Sequence, residues 1–214
     1  MFENRLDAAS KLAEKLSRYK NTDAVVLAIP RGGVTIGKKI ADELNIPLEI
    51  ILSKKIGHPR NPEFAIGSVS ELGMVVNDDL MNISTDYIQN EAARLQLQLK
   101  ERYKLFMGDR KPSDLKNKIV ILVDDGIATG NTILATINMI KKKFPKKLVV
   151  AVPVAPPDTA RKINKEVDEL ICLLTPGDFY AVGQFYEDFS QVTDEEVIKM
   201  LGTDLKSEKR NLAF

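Results

Sequence analysis

The chain has 214 residues, enough for one sizeable α/β domain with an appendage, and its 31 basic and 30 acidic residues leave a formal charge of +1, so no whole-molecule field draws it to nucleic acid or an anionic membrane. No apolar run approaches the roughly 20 residues of a membrane span, and the opening MFENRLDAAS lacks a signal-peptide core, so a cytoplasmic location is expected. The single cysteine, Cys172 in LICLL, excludes an internal disulfide and reads as a buried small hydrophobe.

In chain order, Phe2, Leu6, Ala9, Ala13 and Leu16 recur at helical spacing and predict an amphipathic N-terminal helix. Residues 24–30, AVVLAIP, read as a fully buried strand. Arg31, Gly32 and Gly33 then make a tight turn into a helix carrying Ile36, Ile40 and Leu44. The segment LEIILS is a further apolar strand that ends in Lys54 and Lys55. Gly57, Pro59, Asn61 and Pro62 predict a loop over 57–63, containing His58 and Arg60. A strand over 64–70 turns through Glu71-Leu72-Gly73 into a partner over Met74 to Asn77. Ser84 or Thr85 caps a long helix with Ile88, Ala92, Leu95, Leu99, Tyr103 and Phe106 on one face.

The next stretch, Val120 to Thr132, is VILVDDGIATGNT. Its apolar, mostly β-branched start predicts a buried strand, and its small residues predict a turn into a helix N-terminus. At the carboxyl end of a parallel strand, Asp124 and Asp125 stand at the mouth of a crevice. Gly126, Ala128 and Gly130 let the chain curl so that the amides of Thr129 to Thr132 converge on an anion. One turn thus offers carboxylates to hydroxyls and amides to a phosphate, the two groups of a phosphorylated sugar. Strand 148–154, a short helix from Pro156 to about Val167 and strand 170–175 follow, and this alternation implies a parallel, doubly wound core. Phe179, Tyr180, Phe185, Tyr186 and Phe189 then crowd into eleven residues. They read either as a satellite hydrophobic cluster or as a hood whose rings stack on a planar acceptor. Thr193 and Glu196 form a capping box, and the tail after Gly202 is polar.

The VILVDDGIATGNT stretch closely resembles the signature of the type I phosphoribosyltransferases. The resemblance implies that Asp124 and Asp125 hold the ribose hydroxyls of phosphoribosyl pyrophosphate (PRPP), and that Ala128, Thr129, Gly130, Asn131 and Thr132 cup its 5′-phosphate. Gly126 departs from the usual aliphatic residue, and extra loop freedom is expected there. PRGGV is similar to the family's pyrophosphate loop, an extended backbone sometimes carrying a cis peptide, which assigns Arg31, Gly32 and Gly33 to the diphosphate together with one of Lys54 and Lys55. Residues 57–77 are similar to the family's flexible hairpin, which would carry Arg60 and His58 down onto the leaving group. Phe179, Tyr180, Phe185 and Tyr186 become candidates for the base, and Glu187 and Asp188 weak candidates for a proton acceptor. The implied architecture is a single domain over 1–214: a core of about 20–175, a hood from 1–19 and 176–201, and a tail over 202–214.

The resemblance further implies transfer of ribose 5-phosphate from PRPP to a nucleobase-like acceptor with release of pyrophosphate. Mg²⁺ would bind mostly through substrate and water, with Asp124 and Asp125 reaching it through water and no dedicated protein ligands. A homodimer is expected, and no nucleic-acid or membrane partner. Ala128 stands where 6-oxopurine enzymes often carry an aspartate, which weakens that acceptor class. The competing reading is a non-catalytic PRPP sensor; Arg31, the paired lysines and Arg60 favour the enzyme.

Overall fold

The computed structural model describes residues 1–76 and 83–203. A five-stranded parallel sheet has the order β2-β1-β6-β7-β8, built from β1 (Ala24–Ala28), β2 (Leu48–Ile50), β6 (Ile119–Val123), β7 (Lys147–Val154) and β8 (Glu169–Leu174). A separate antiparallel sheet contains β3 (Ser53–His58), β4 (Asn61–Ser70) and β5 (Gly73–Val76). The helices are α1 (Arg5–Lys15), α2 (Gly32–Leu44), α3 (Thr85–Met107), α4 (Asn131–Lys141), α5 (Pro157–Asn164) and α6 (Asp194–Leu201). The doubly wound, mostly parallel fold expected from the sequence is the fold observed. Asn77, the expected end of the last hairpin strand, and the polar tail beyond Thr203 lie outside the described residues.

Every residue of β1 is buried because helices cover both faces of the sheet. On one face α1 and α2 supply Ala9, Leu12, Leu16, Ile36 and Ile40 against Val26, Ile121 and Val149; on the other, α4 and α5 supply Ile133, Ile137 and Ile163 against Val25, Val120 and Val150. Each large aliphatic side chain so buried contributes about 1.5–3 kcal/mol. Within residues 1–19, α1 is a layer of the core, since its alanine-rich stripe lets it lie close against α2, while Phe2 to Arg5 join the segment 185–190. The strand order reverses direction between β1 and β6, whose following helices α2 and α4 lie on opposite faces, and this opens a crevice at their carboxyl ends.

The run LEIILSKK is two strands, not one. Ile51 makes one last bond to Ala28 O at 3.0 Å, and the chain then leaves the parallel sheet for the antiparallel one. Ile51 and Leu52 are buried as a crossover, so their hydrophobicity mimics a continuing strand. Likewise the expected loop over 57–63 is mostly strand, closed by a tight turn at Pro59-Arg60. The apolar face predicted for α3 is the face it buries, against β3, β4 and α6.

At the hairpin root, Glu71 accepts a bond from the Leu52 amide at 3.2 Å, yet burial raises its carboxyl from 4.5 to about 7. The folded protein then binds that proton more tightly than the unfolded chain. The stability involved is fully present below about pH 4.5 and is lost as pH rises through 7. Glu71→Gln should therefore resemble the parent near pH 5 and exceed it at pH 8 by on the order of 2–3 kcal/mol. Urea midpoints at the two pH values check this; an equal difference at both would refute it.

Candidate active site

The crevice between β1 and β6 brings two turns together. After β6, Asp124 and Asp125 are partly buried at the strand's end, and three contacts fix them. The Asp125 amide donates to Asp124 Oδ1 at 2.8 Å. The Tyr186 hydroxyl donates to the Asp125 carbonyl at 2.6 Å, and Arg5 Nε donates to Asp125 Oδ2 at 2.7 Å. Arg5 also donates to Ser190 O at 2.8 Å, and its guanidinium lies 3.9 Å above the Phe189 ring. Phe189 in turn stacks on Tyr186, with centroids 4.9 Å apart. Among the described residues, no donor other than Arg5 and the Asp125 amide bonds the side-chain oxygens of the pair, and the two carboxyls stand within hydrogen-bond reach of each other.

Burial, and then the negative charge of Asp125, raise the Asp124 carboxyl well above the usual carboxylate range; the Arg5 cation acts in the opposite sense. The same burial pushes the Tyr186 phenol upward, so it stays a donor at any working pH.

Beyond the pair, Gly126 has φ +154°, and a Cβ there would stand 2.3 Å from Val182 Cγ1. The expected extra loop freedom is therefore absent: glycine is present because Val182 and Val154 leave no room for a side chain. Ile127 is pinned by its amide to Val154 O at 2.9 Å, and the Ala128 carbonyl by Thr159 Oγ1 at 3.0 Å. Gly130, at φ +78°, caps α4. Among the described residues the amides of Ala128, Thr129 and Gly130 donate to nothing, and those of Asn131 and Thr132 open the first turn of α4. Such free amides at a helix start form an anion cradle.

After β1, the Pro30–Arg31 peptide is cis and α2 begins at Gly32. Gly32 and Gly33 are therefore helical, not extended, and the predicted loop shrinks to Pro30 and Arg31. Both glycines are needed for contact with the acidic pair. A Cβ on Gly32 would fall 1.8 Å from Asp125 Oδ2, and one on Gly33 would fall 3.0 Å from Asp124 Cα. The α2 N-terminus thus abuts the carboxylates, where its dipole favours their charge. Arg31 is half-exposed, with Nη1 3.6 Å from Asp194 Oδ1 at the start of α6.

The two lysines separate. They occupy alternate positions of β3 and so face opposite sides of the antiparallel sheet. Lys54 bonds Gln98 Oε1 of α3 at 2.7 Å, one helical turn from Arg102, which shares Asp194 with Arg31. Lys55 pairs in register with Ser68, which lines a groove of about 300 Å³ together with Asn131, Leu134 and Ala135 of α4. Lys55 is therefore on the sheet face opposite Lys54, and in this conformation it bridges to Glu63 at 2.6 Å. Arg60 stands exposed at the hairpin tip with no side-chain partner among the described residues, while the His58 ring packs edge-on to Phe64.

The aromatic segment divides in the same way. Tyr186 is buried beneath the acidic pair because its hydroxyl requires a partner there, and so it is no base-stacking ring. Phe179 packs on Phe185 at 5.3 Å, and Tyr180 is 91% exposed. The Ser190 amide and hydroxyl hold Asp188 below the usual carboxylate range, which makes it a poor proton acceptor. Cys172 gives its thiol to Leu174 O and is pushed up to about 11 by burial, in keeping with a packing role.

A family model of the phosphoribosyl transferase domain matches residues 2–190. Proteins of two Mycobacterium tuberculosis strains, provisionally named phosphoribosyl transferases, are 36% identical over 205 residues, 94% of this chain. The chain spans only 46% of their length. The crystal structure of TT1426 from Thermus thermophilus shares 38% identity and superposes with a TM-score of 0.84, covering 94% of this chain and 97% of that one. A hypothetical protein from Neisseria gonorrhoeae, solved with bound ppGpp, shares only the fold, at 16% identity and a TM-score of 0.52, covering 94% of this chain and 97% of its own. The carboxylate pair, the amide cradle that follows it and the glycine start of α2 thus sit within a match that spans most of the chain, and the chain belongs to the phosphoribosyl transferase domain family.

Proposed function

We propose that the chain transfers ribose 5-phosphate from PRPP to a nitrogenous, nucleobase-like acceptor and releases pyrophosphate. The observation that carries this reading is the junction at the end of β6. There two adjacent carboxyl groups stand next to an amide cradle whose donors are unused. A phosphorylated pentose needs both groups at that spacing in the chain.

In this reading the amides from Ala128 to Thr132 bind the 5′-phosphate, and the carboxylate oxygens of Asp124 and Asp125 accept from the 2′ and 3′ hydroxyls. As the glycosidic bond loosens, positive charge grows on the sugar, and the nearby carboxylates stabilise it. The first amides of α2, at Gly32 and Gly33, and the guanidinium of Arg31 face the departing diphosphate. Lys55 reaches it once released from Glu63, and Arg60 once the hairpin closes. Phe179, Tyr180 and Phe185 are the rings left for the acceptor.

The acidic pair also fits a divalent cation, because it sets two adjacent carboxyl groups side by side with a single cation, Arg5, bonded to them among the described residues. Mg²⁺ would lie near Asp124 and Asp125 and supply neutralisation of the diphosphate charge.

The test is pyrophosphate release from Mg-PRPP across a panel of purine and pyrimidine bases, with PRPP binding measured in parallel. Release with at least one base supports transfer. Binding without release for every base would turn the reading to a sensor, and absence of binding would sink both.

A further inference from the structure

A second cavity, of about 560 Å³, opens where the hairpin leaves the parallel sheet. It shares no residue with the acidic pair, the amide cradle or the start of α2. Its floor is formed by Tyr103 of α3 and Glu71 of the turn between β4 and β5. Both also line a recess of about 10 Å³ that runs inward toward Leu27 and Ile51.

Two polar atoms here are left without partners. Tyr103 is only 7% exposed, and its hydroxyl makes no hydrogen bond among the described residues. Glu71 Oε1 is likewise buried and unpaired, while its other oxygen takes the Leu52 amide. Buried groups of this kind are nearly always satisfied, so each calls for a missing partner. The narrow recess has room for one water. The larger chamber is of another order, within the range of small-molecule sites.

The rim defines the chemistry. Lys100, Lys104 and Lys111 line it, and none has an ion-pair partner among the described residues. Arg110 is committed to the carbonyls of Leu201 and Gly202 at 3.0 and 3.3 Å, and the carboxylates lining the cavity among the described residues are Asp109 and the mostly buried Glu71. An anionic group is therefore wanted at the rim, while the two buried polar atoms face the recess, where a single water would partner them.

We propose that this cavity is a second binding site for a small organic phosphate. Its phosphate lies among Lys100, Lys104 and Lys111, and its organic part lies over the chamber floor beside Tyr103. The proposal does not depend on the chemistry at the acidic pair.

Fluorine NMR of protein labelled with 3-fluorotyrosine tests it, since the chain has five tyrosines. Tyr103 reports this cavity, and Tyr186, bonded to the Asp125 carbonyl, reports the acidic pair. Each resonance is assigned with its Tyr→Phe variant. Adenosine 5′-monophosphate serves as the probe, with adenosine and inorganic phosphate as separate arms. The expected result is a saturable shift at Tyr103 in the micromolar to low millimolar range with the nucleotide. Adenosine alone should give none at the same concentration, and inorganic phosphate a weaker one. The double variant Lys100→Glu, Lys104→Glu should weaken the Tyr103 response at least about tenfold, roughly a 1.4 kcal/mol change, and leave Tyr186 as it was. A Tyr103 resonance unmoved by all three probes up to about 10 mM would show that the cavity holds only water and overturn the site. A shift equal for adenosine and its phosphate, or unchanged in the lysine variant, would overturn the phosphate assignment.

Discussion

Asp125→Asn should lower kcat/KM for PRPP by about 10²–10³-fold, or about 3–4 kcal/mol, with most of the loss in kcat. The size follows from the way the carboxylate is held. Arg5 Nε donates to Oδ2, so an amide in the same place must turn its oxygen toward Arg5. Its NH₂ then occupies the position of Oδ1, the oxygen that Arg5 does not bond. A ribose hydroxyl meeting that position finds a donor where it needs an acceptor, and the neighbouring charge that would stabilise a cationic sugar is gone. Hydrogen bonds to charged groups contribute about 1.5–3 kcal/mol each, so one reversal plus one lost charge accounts for the range. The substitution also removes the negative neighbour that raises Asp124. The Asp124 carboxyl then moves down, and the acidic limb of the pH–rate profile should move to lower pH with it. Steady-state pyrophosphate release between pH 5 and 9 measures both effects. Unchanged kcat, or an acidic limb moving upward, would remove Asp125 from the ribose site.

The acid-rich turn was legible because everything it needs is local. A β-branched run, two carboxylates and small residues at set positions specify strand, turn and helix start within thirteen neighbours. The face of α3 was legible for the same reason, since 3.6-residue periodicity is a local property. What holds the turn in place was not legible. Arg5 and Asp125 are 120 residues apart, and Tyr186 and Asp125 are 61 apart. No periodicity joins such positions. One hint was available: Arg5 opens α1 directly after its Asn4 cap, where a cation opposes the helix dipole. A cation in that place implies a partner elsewhere. The split of LEIILSKK into β2 and β3 was hidden because a buried crossover and a buried strand have the same composition. It put the two lysines on opposite sides of the antiparallel sheet, since neighbouring positions of a strand face opposite ways.

The largest stability effect should come from Arg5→Ala, at about 2–4 kcal/mol, because removing one member of a mostly buried ion pair leaves the other uncompensated. The side chains of Arg5 and Asp125 are only 10% and 17% exposed, so water compensates little. Arg5 also closes a stack from Phe189 to Tyr186, and Tyr186 carries the Asp125 carbonyl; truncation therefore loosens the pair by two routes. The pH dependence follows from the signs. The Arg5 cation lowers the Asp124 carboxyl through charge, so without it that already raised group rises further. A carboxyl raised in the folded state contributes stability at low pH that is lost as pH climbs through its folded value. The deficit of Arg5→Ala should thus be smaller at pH 5 than at pH 8, and its acidic activity limb should move upward, opposite to that of Asp125→Asn. Arg5→Lys keeps the charge but loses the planar stack on Phe189 and the forked bonds to Asp125 and Ser190, so it should fall between the two. Denaturant unfolding at both pH values decides the matter. If Arg5→Ala unfolds like its parent, the bridge does not hold the acidic pair, and the pair must owe its place to the β6 turn and the Tyr186 hydroxyl alone.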